Sequence, residues 1–345
     1  MANQSITSPR FYVDFTQLAK VKGYHYWEDG VSNVNNINNN NYTESLNDVW
    51  NFNFYKPQEY QITDTYPPAW FFNFYKNTDI NVAWSRLMSN SNWAGIINHN
   101  IADLADEQRL VIYLNGQPDS ITIGYPQDIS NARPITKNGF SIAEFNEPIR
   151  DDLFEIGVGF DSGTTGTVKI GAISFGRFYD MPVSPDMNLN KIVEYDGIDI
   201  QRTIGGSDYV QIDNYGTPDW LNGEPFVLSD SGVQTARLGR HGRRVWKLSF
   251  SFISNDNVFY NTSRLNAFGD LLNTQDTEYN ELIAGSEIQQ IFDLTLGGAL
   301  SFIFCPDPTA SVPEFAQCRI DQKSLNARQV AHQTWNITMN IVEVW

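Results

Sequence analysis

At 345 residues with 41% hydrophobic side chains, the chain is long enough for two domains with packed cores. Its formal net charge of −17 excludes a general electrostatic grip on nucleic acid or on an anionic membrane surface, because both need a basic footprint. Two cysteines, Cys305 and Cys318, and four scattered histidines exclude a disulfide framework and a zinc pattern, so two reduced thiols and no metal or cofactor are expected.

Aromatic residues, at 14%, favour sheets over helices. Charged residues, at 18%, fall below the usual quarter, so Asn, Ser, Thr and Gln must cover the surface, or partners must. The opening MANQSITSPR lacks the apolar core of a secretory signal, and no run approaches the ~18 apolar residues of a membrane helix. Folding in a cytosol without membrane insertion is expected.

The first element is a strand at Arg10–Phe15. Val34–Tyr42, VNNINNNNY, reads as a loop, since Asn favours turns and caps over element interiors. Strand candidates then follow at Trp50–Tyr55, Trp70–Tyr75, Asn81–Met88, Gly95–His99, Arg109–Asn115, Ser120–Tyr125, Gly139–Asn146, Leu153–Phe160 and Val168–Phe178. Turn signals such as Asn115-Gly116 and Lys137-Asn-Gly139 separate them. Ile101–Gln108 has room for one or two helical turns. Short strands at this spacing predict a jelly-roll-type β-sandwich over residues 46–186, after an N-terminal strand and Asn-rich loop in 1–45.

Val168–Asp186 organises the chain. It begins as an alternating strand, with Val168, Ile170, Ala172 and Ser174 on one face. Lys169, Gly171, Ile173 and Phe175 take the other. It ends at Pro182 and Pro185, where missing donors and fixed φ stop any regular element. A second β-domain is expected over 187–345. Its strands are Ile192–Tyr195, Ile198–Ile204, Tyr209–Asp213, Phe226–Leu228, Arg243–Ile253, Leu300–Cys305, Phe315–Ile320 and Trp335–Val344. Asp196-Gly197 signals a hairpin, and Gly205-Gly206 a turn. In RRVWKLSFSFI, Trp246, Leu248, Phe250 and Phe252 share an apolar face, opposite Val245, Lys247, Ser249 and Ser251. Residues 262–294 hold one or two short helices: Leu265, Phe268, Leu271 and Leu272 recur at helical spacing, and so do Ile288, Ile291 and Phe292. The last strand reaches the terminal Trp345, so the C-terminus is expected to be tied into the fold.

Motifs for catalysis are missing: there is no GxSxG, HExxH, Walker loop or helix-opening GxGxxG. Asp103, Asp106 and Glu107, or Asp151, Asp152 and Glu155, offer carboxylates of the kind a glycosidase uses, but solvated loops explain them better among 40 acidic residues. Trp70, Trp84 and Trp93 are candidates for stacking on sugar rings, with a core role as the plainer reading. Arg237–Lys247, RLGRHGRRVWK, is basic in an acidic chain, and its arginines suit bidentate pairing with carboxylates of a neighbour.

Three segments resemble tailed-bacteriophage tail proteins of the distal-tail and baseplate type. They are KIGAISFGRFYDMPVSPD at 169–186, ARLGRHGRRVWKLSFSFIS at 236–254, and a closing set. That set is IQQIFDLTLGGALSFIFCPDPT at 288–309, PEFAQCRIDQKSL at 313–325 and WNITMNIVEVW at the end. The resemblance covers 165–345, and the N-terminal part only by architecture. It implies a tail-tube-like ring domain paired with a galectin-like or carbohydrate-binding-like sandwich. The order here is reversed relative to those proteins, or the sandwich is inserted after Arg10–Phe15. It also implies a non-enzymatic virion component, assembled in the host cytoplasm. Its partners would be copies of itself in a sixfold ring, other tail or baseplate proteins, and a host-surface glycan. Arg237, Arg240, Arg243 and Arg244 would then form one face of the subunit contact. A carbohydrate-binding adhesin is the alternative, followed by a glycoside hydrolase.

Overall fold

The computed structural model describes residues 6–21, 58–62, 69–73, 91–101, 110–114, 140–144, 155–160, 166–187, 190–195, 198–212, 242–259, 286–310 and 313–344. The chain is mainly β, and every strand pairing among these residues is antiparallel. In the N-terminal half the strands are β1 Arg10–Asp14, β2 Gln58–Ile62, β3 Ala69–Asn73, β4 Trp93–His99, β5 Leu110–Leu114, β6 Phe140–Glu144, β7 Glu155–Phe160 and β8 Gly166–Asp180. Then follow β9 Asn190–Glu194, β10 Ile198–Arg202, β11 Asp208–Ile212, β12 Arg243–Ser254, β13 Phe302–Cys305, β14 Ala316–Ile320, β15 Ala327–Ala331 and β16 Thr334–Glu343. Three helices are described: α1 Phe15–Val21, α2 Asn255–Val258 and α3 Glu287–Leu294.

Eleven strands form one sheet in the order β6-β4-β8-β1-β13-β14-β16-β12-β9, with β2 beside β8 and β15 beside β16. A three-stranded sheet, β3-β7-β5, contributes Trp70, Ile112, Ile156 and Val158 to the larger core. β10 and β11 pair only with each other. The sheet therefore runs across residues 186 and 187. β1 lies between β8 on one side and β13 on the other, with Tyr12 opposite both Phe178 and Ile303. Topologically, residues 22–165 are an insertion between two neighbouring strands, β1 and β8.

β1 sits in the middle because its three central residues, Phe11, Tyr12 and Val13, are buried and both faces find a core. Phe11 and Val13 face a cluster with Phe175, Phe302, Phe304 and the apolar side of α3. Tyr12 faces a second cluster with Trp93, Phe140, Ile303 and Phe315. Gly176 permits the close approach of β8: a Cβ there would lie 2.0 Å from the Val13 carbonyl oxygen. α1 starts because Asp14 accepts the Thr16 N–H at 2.7 Å, the N-cap bond that Asp supplies well. Phe15, Leu18 and Ala19 then fall on one buried side. That cap and the i, i+3, i+4 spacing were readable signals, yet no helix was expected there.

α3 matches its periodicity. Ser286 caps it by accepting the Gln289 N–H at 3.2 Å, and Leu296, Gly297 and Gly298 leave it with positive φ. A Cβ on Gly298 would lie 2.7 Å from the Ile320 carbonyl oxygen, so glycine is required for packing as well as for backbone conformation.

Several expectations need correction. Asp196-Gly197, the expected hairpin signal, lies outside the described residues; among those described, β9 pairs with β12 and β10 with β11. The hairpin turn is at Thr203–Ser207, where Gly206 donates to the Thr203 carbonyl at 2.9 Å with φ 84°. Phe252 leaves the apolar face of β12. A bulge between Phe250 and Ile253 turns it outward at φ 60° and buries Ile253 instead. On β8, Val168 and Ile170 join the same cluster as Ile173 and Phe175, while Ala172 joins the other, so simple alternation fails near Gly171. β2 and β15 carry no strong strand signal and were not expected. Trp50–Tyr55, Asn81–Met88, Ser120–Tyr125, Phe226–Leu228, the Asn tract at 34–42, the helical repeat at Leu265–Leu272 and the terminal Trp345 lie outside the described residues.

Candidate functional site

Of the four arginines expected on a subunit face, Arg237 and Arg240 lie outside the described residues. Arg243 and Arg244 open β12, in register with Glu194 and Val193 of β9. The carboxylates that Arg244 meets belong to its own chain. Its Nε donates to Glu343 Oε2 at 2.9 Å and its Nη2 to Glu343 Oε1 at 2.5 Å, the planar fork geometry that Arg favours. Its Nη1 donates to Glu314. The Glu343 side chain is fully buried, and the guanidinium lies 5.3 Å from the Trp246 ring centre. Arg244 therefore neutralises a buried charge at the end of β16, and its bonding capacity is largely committed inside the fold.

Two of the three tryptophans take the plainer, core role. Trp93 is fully buried, edge-on to Tyr12, with Nε1 donating to the Val13 carbonyl at 3.3 Å. Trp70 is 2% exposed in the larger core. Neither has a face open to a sugar ring. Trp84 lies outside the described residues, as do Asp103, Asp106, Glu107, Asp151 and Asp152. Glu155 opens β7, opposite Asn73.

Two polar groups were not anticipated, the first partly and the second fully buried. Arg10 forks onto Asp180 at 2.6 and 2.7 Å and reaches Glu144 at 2.8 Å, while Tyr12 donates to the same Glu144 at 2.5 Å. The group ties β1, β6 and β8 together, and the Arg10 guanidinium lies 4.0 Å over the Phe178 ring. The second is His99 with Ser141, at 2.8 Å. Its composition suggests an activated nucleophile, but its geometry does not. His99 Nδ1 accepts the Ile101 N–H at 3.3 Å, so Nε2 carries the proton and donates to Ser141 Oγ. Burial lowers the imidazole pKa to about 3, and both side chains are inaccessible. The pair is a cross-strand fastener between β4 and β6. Cys305 and Cys318 are in no disulfide and are buried in different clusters, and burial pushes the Cys318 thiol upward. No group of three or more His, Cys, Asp or Glu among the described residues could hold a metal ion.

The described surface also carries a run of exposed apolar side chains. Met187, Val193, Tyr195, Ile200, Ile204, Tyr209 and Val210 are exposed, and they fall within 24 consecutive residues along β9, β10 and β11. In the β10–β11 hairpin the register places Ile198 with Ile212 and Ile200 with Val210 on one face. Arg202 pairs with Asp208 at 2.9 Å beside the turn, and Ile204 forms the tip. No helix among the described residues is long and apolar enough to cross a membrane. No protein-family model, curated protein or solved structure matches the chain.

Proposed function

We propose that this chain is a structural protein of a bacteriophage tail, of the distal-tail or baseplate type. In this reading it assembles with copies of itself into a sixfold ring and docks other tail proteins. The strands inserted between β1 and β8 would supply an outward-facing jelly-roll-like part, and β1, β8 and the strands that follow a tail-tube-like ring part, the two sharing one sheet. The single observation that carries the reading is the concentration of exposed apolar side chains between Met187 and Val210. Exposed apolar side chains in this number suit contact with a partner. A two-stranded hairpin open to water on both sides is marginally stable alone, which favours an element that docks.

The insertion of residues 22–165 between β1 and β8 gives further support, because it lets one module be carried on the frame of another. The three segments that resemble tail proteins contribute β8, β12, α3, β13, β14 and β16, all part of that frame or packed on it. The adhesin reading gains nothing here, since Trp70 and Trp93 are core residues.

Light scattering on the purified protein, with negative-stain images of the same peak, tests the proposal. A closed ring with a central hole is the expected result. A monomer at every accessible concentration would remove the reading.

A further inference from the structure

At the end of β12 the alternation of the sequence and the observed register part. The sequence alternates without a break from Trp246 to Phe252, so a regular strand puts Phe252 on the core face with Trp246, Leu248 and Phe250. In the structure Phe250 pairs with Ile337 and Ile253 with Trp335. Ser251 and Phe252 therefore both oppose Asn336, and β12 holds one residue more than its partner strand. Phe252 is turned out at φ 60° and 76% exposed, and Ile253 is buried in its place. A bulky side chain in left-handed backbone costs stability, and an exposed ring recovers none of it by burial.

A second register is open to the same residues. Continuing the Phe250–Ile337 pairing without the extra residue sets Ser251 against Asn336 and Phe252 against Trp335. Trp335 packs on the larger core, so Phe252 takes the place that Ile253 now holds, and its backbone returns to the extended region. Residues before the bulge keep their partners, with Ser251 Oγ still donating to Asp186 at 2.7 Å. The observed register is held by contacts beyond the bulge. Asn336 Oδ1 accepts the Phe252 N–H at 3.1 Å. Asn255, which opens α2, donates its N–H to the Gln333 carbonyl at 2.9 Å and accepts the Trp335 Nε1–H at 3.0 Å. Gln333 is itself left-handed, at φ 55°, and Val258 of α2 is buried. Losing the bulge passes one residue into α2 and breaks these contacts, while keeping it leaves Phe252 strained. Each register gives up something the other keeps, and such a conflict leaves two packings close in energy.

We infer that the end of β12 is a one-residue register switch. In one state Ile253 is buried, Phe252 faces solvent and α2 is seated beside α3. In the other Phe252 is buried against Trp335, Ile253 faces solvent, and α2 is released from Gln333 and Trp335. Exposure of the Phe252 side chain is thereby coupled to the seating of α2, and a molecule that covers that side chain shifts the population towards the seated state. The inference does not depend on the assembly proposed above.

Thiol labelling of the full chain tests it, with Ile253→Cys as the reporter. The native Cys305 and Cys318 are buried and report global opening. The introduced thiol is expected to react with a maleimide about tenfold faster than the native ones, or more, because a local slip costs less than global unfolding. Adding Phe252→Gly removes both the strain and the side chain that favours the slip, and is expected to slow that reaction by about tenfold. An introduced thiol as slow as the native ones, or a rate indifferent to Phe252→Gly, overturns the switch. Hydrogen exchange gives a second reading without the cysteine. Residues 252–259 are expected to be about tenfold better protected in Phe252→Gly than in the wild-type chain, and equal protection overturns the switch as well.

Discussion

His99 shows how burial turns a reactive residue type into a structural one. Its pKa of about 3 in the fold lies below the ~6.5 of an unfolded chain, so the fold favours the neutral ring. The stability this contributes is complete above pH 6.5 and is lost as pH falls towards 3, at about 1.4 kcal/mol per pH unit. Urea unfolding at pH 7 and pH 5 should therefore differ by about 2 kcal/mol from this group, and a His99→Gln variant should show a correspondingly flatter dependence. Equal slopes in the two proteins would contradict the assignment. Arg244 makes the same point for charge. Removing it leaves the fully buried Glu343 without its partner, so Arg244→Ala should cost about 3–5 kcal/mol in denaturant melts. A residue serving only a subunit face would instead leave monomer stability within about 0.5 kcal/mol of wild type.

At the scale of elements, the fit of β1 against β8 depends on one missing side chain. Gly176→Ala would put a methyl 2.0 Å from the Val13 carbonyl oxygen, and backbone on both strands must move. A loss of about 1–3 kcal/mol is expected from thermal unfolding, as for overpacked cores, and a neutral result would mean the strands separate more easily than their pairing implies. The strong patterns, β12 and α3, were legible in the sequence because alternation and i, i+3, i+4 spacing are local properties. β15 was not legible. Its strand is mostly exposed, and its turn at His332-Gln333 uses Gln333 at φ 55° where Gly or Asn would have announced it. The outward turn of Phe252 was hidden for a related reason. A bulge changes register without leaving a mark on the hydrophobic pattern.

At the scale of the molecule, β1 joins what reads in the sequence as two successive β-series. Phe11, Tyr12 and Val13 are buried against both β8 and β13, and the sheet has no break at that point. Calorimetry should show the two halves unfolding together, and deletion of residues 1–14 should abolish cooperative unfolding of both. Two separated transitions in the intact chain, or a C-terminal half that keeps its melting temperature after the deletion, would count against this coupling.

The sequence by itself determined the class of the protein. Aromatic content, alternation and turn residues specify a mainly β chain. This follows from local chemistry, since a side chain's preference for strand, helix or turn is expressed within a few residues of it. Only the tertiary structure decided which strands are neighbours, which tryptophans are core, which carboxylates Arg244 meets, and where apolar surface is left open. Those depend on residues far apart in the chain, Arg244 and Glu343 being 99 positions apart and Arg10 and Asp180 170. No local pattern records such pairs, because their energies exist only once burial has removed water from between them.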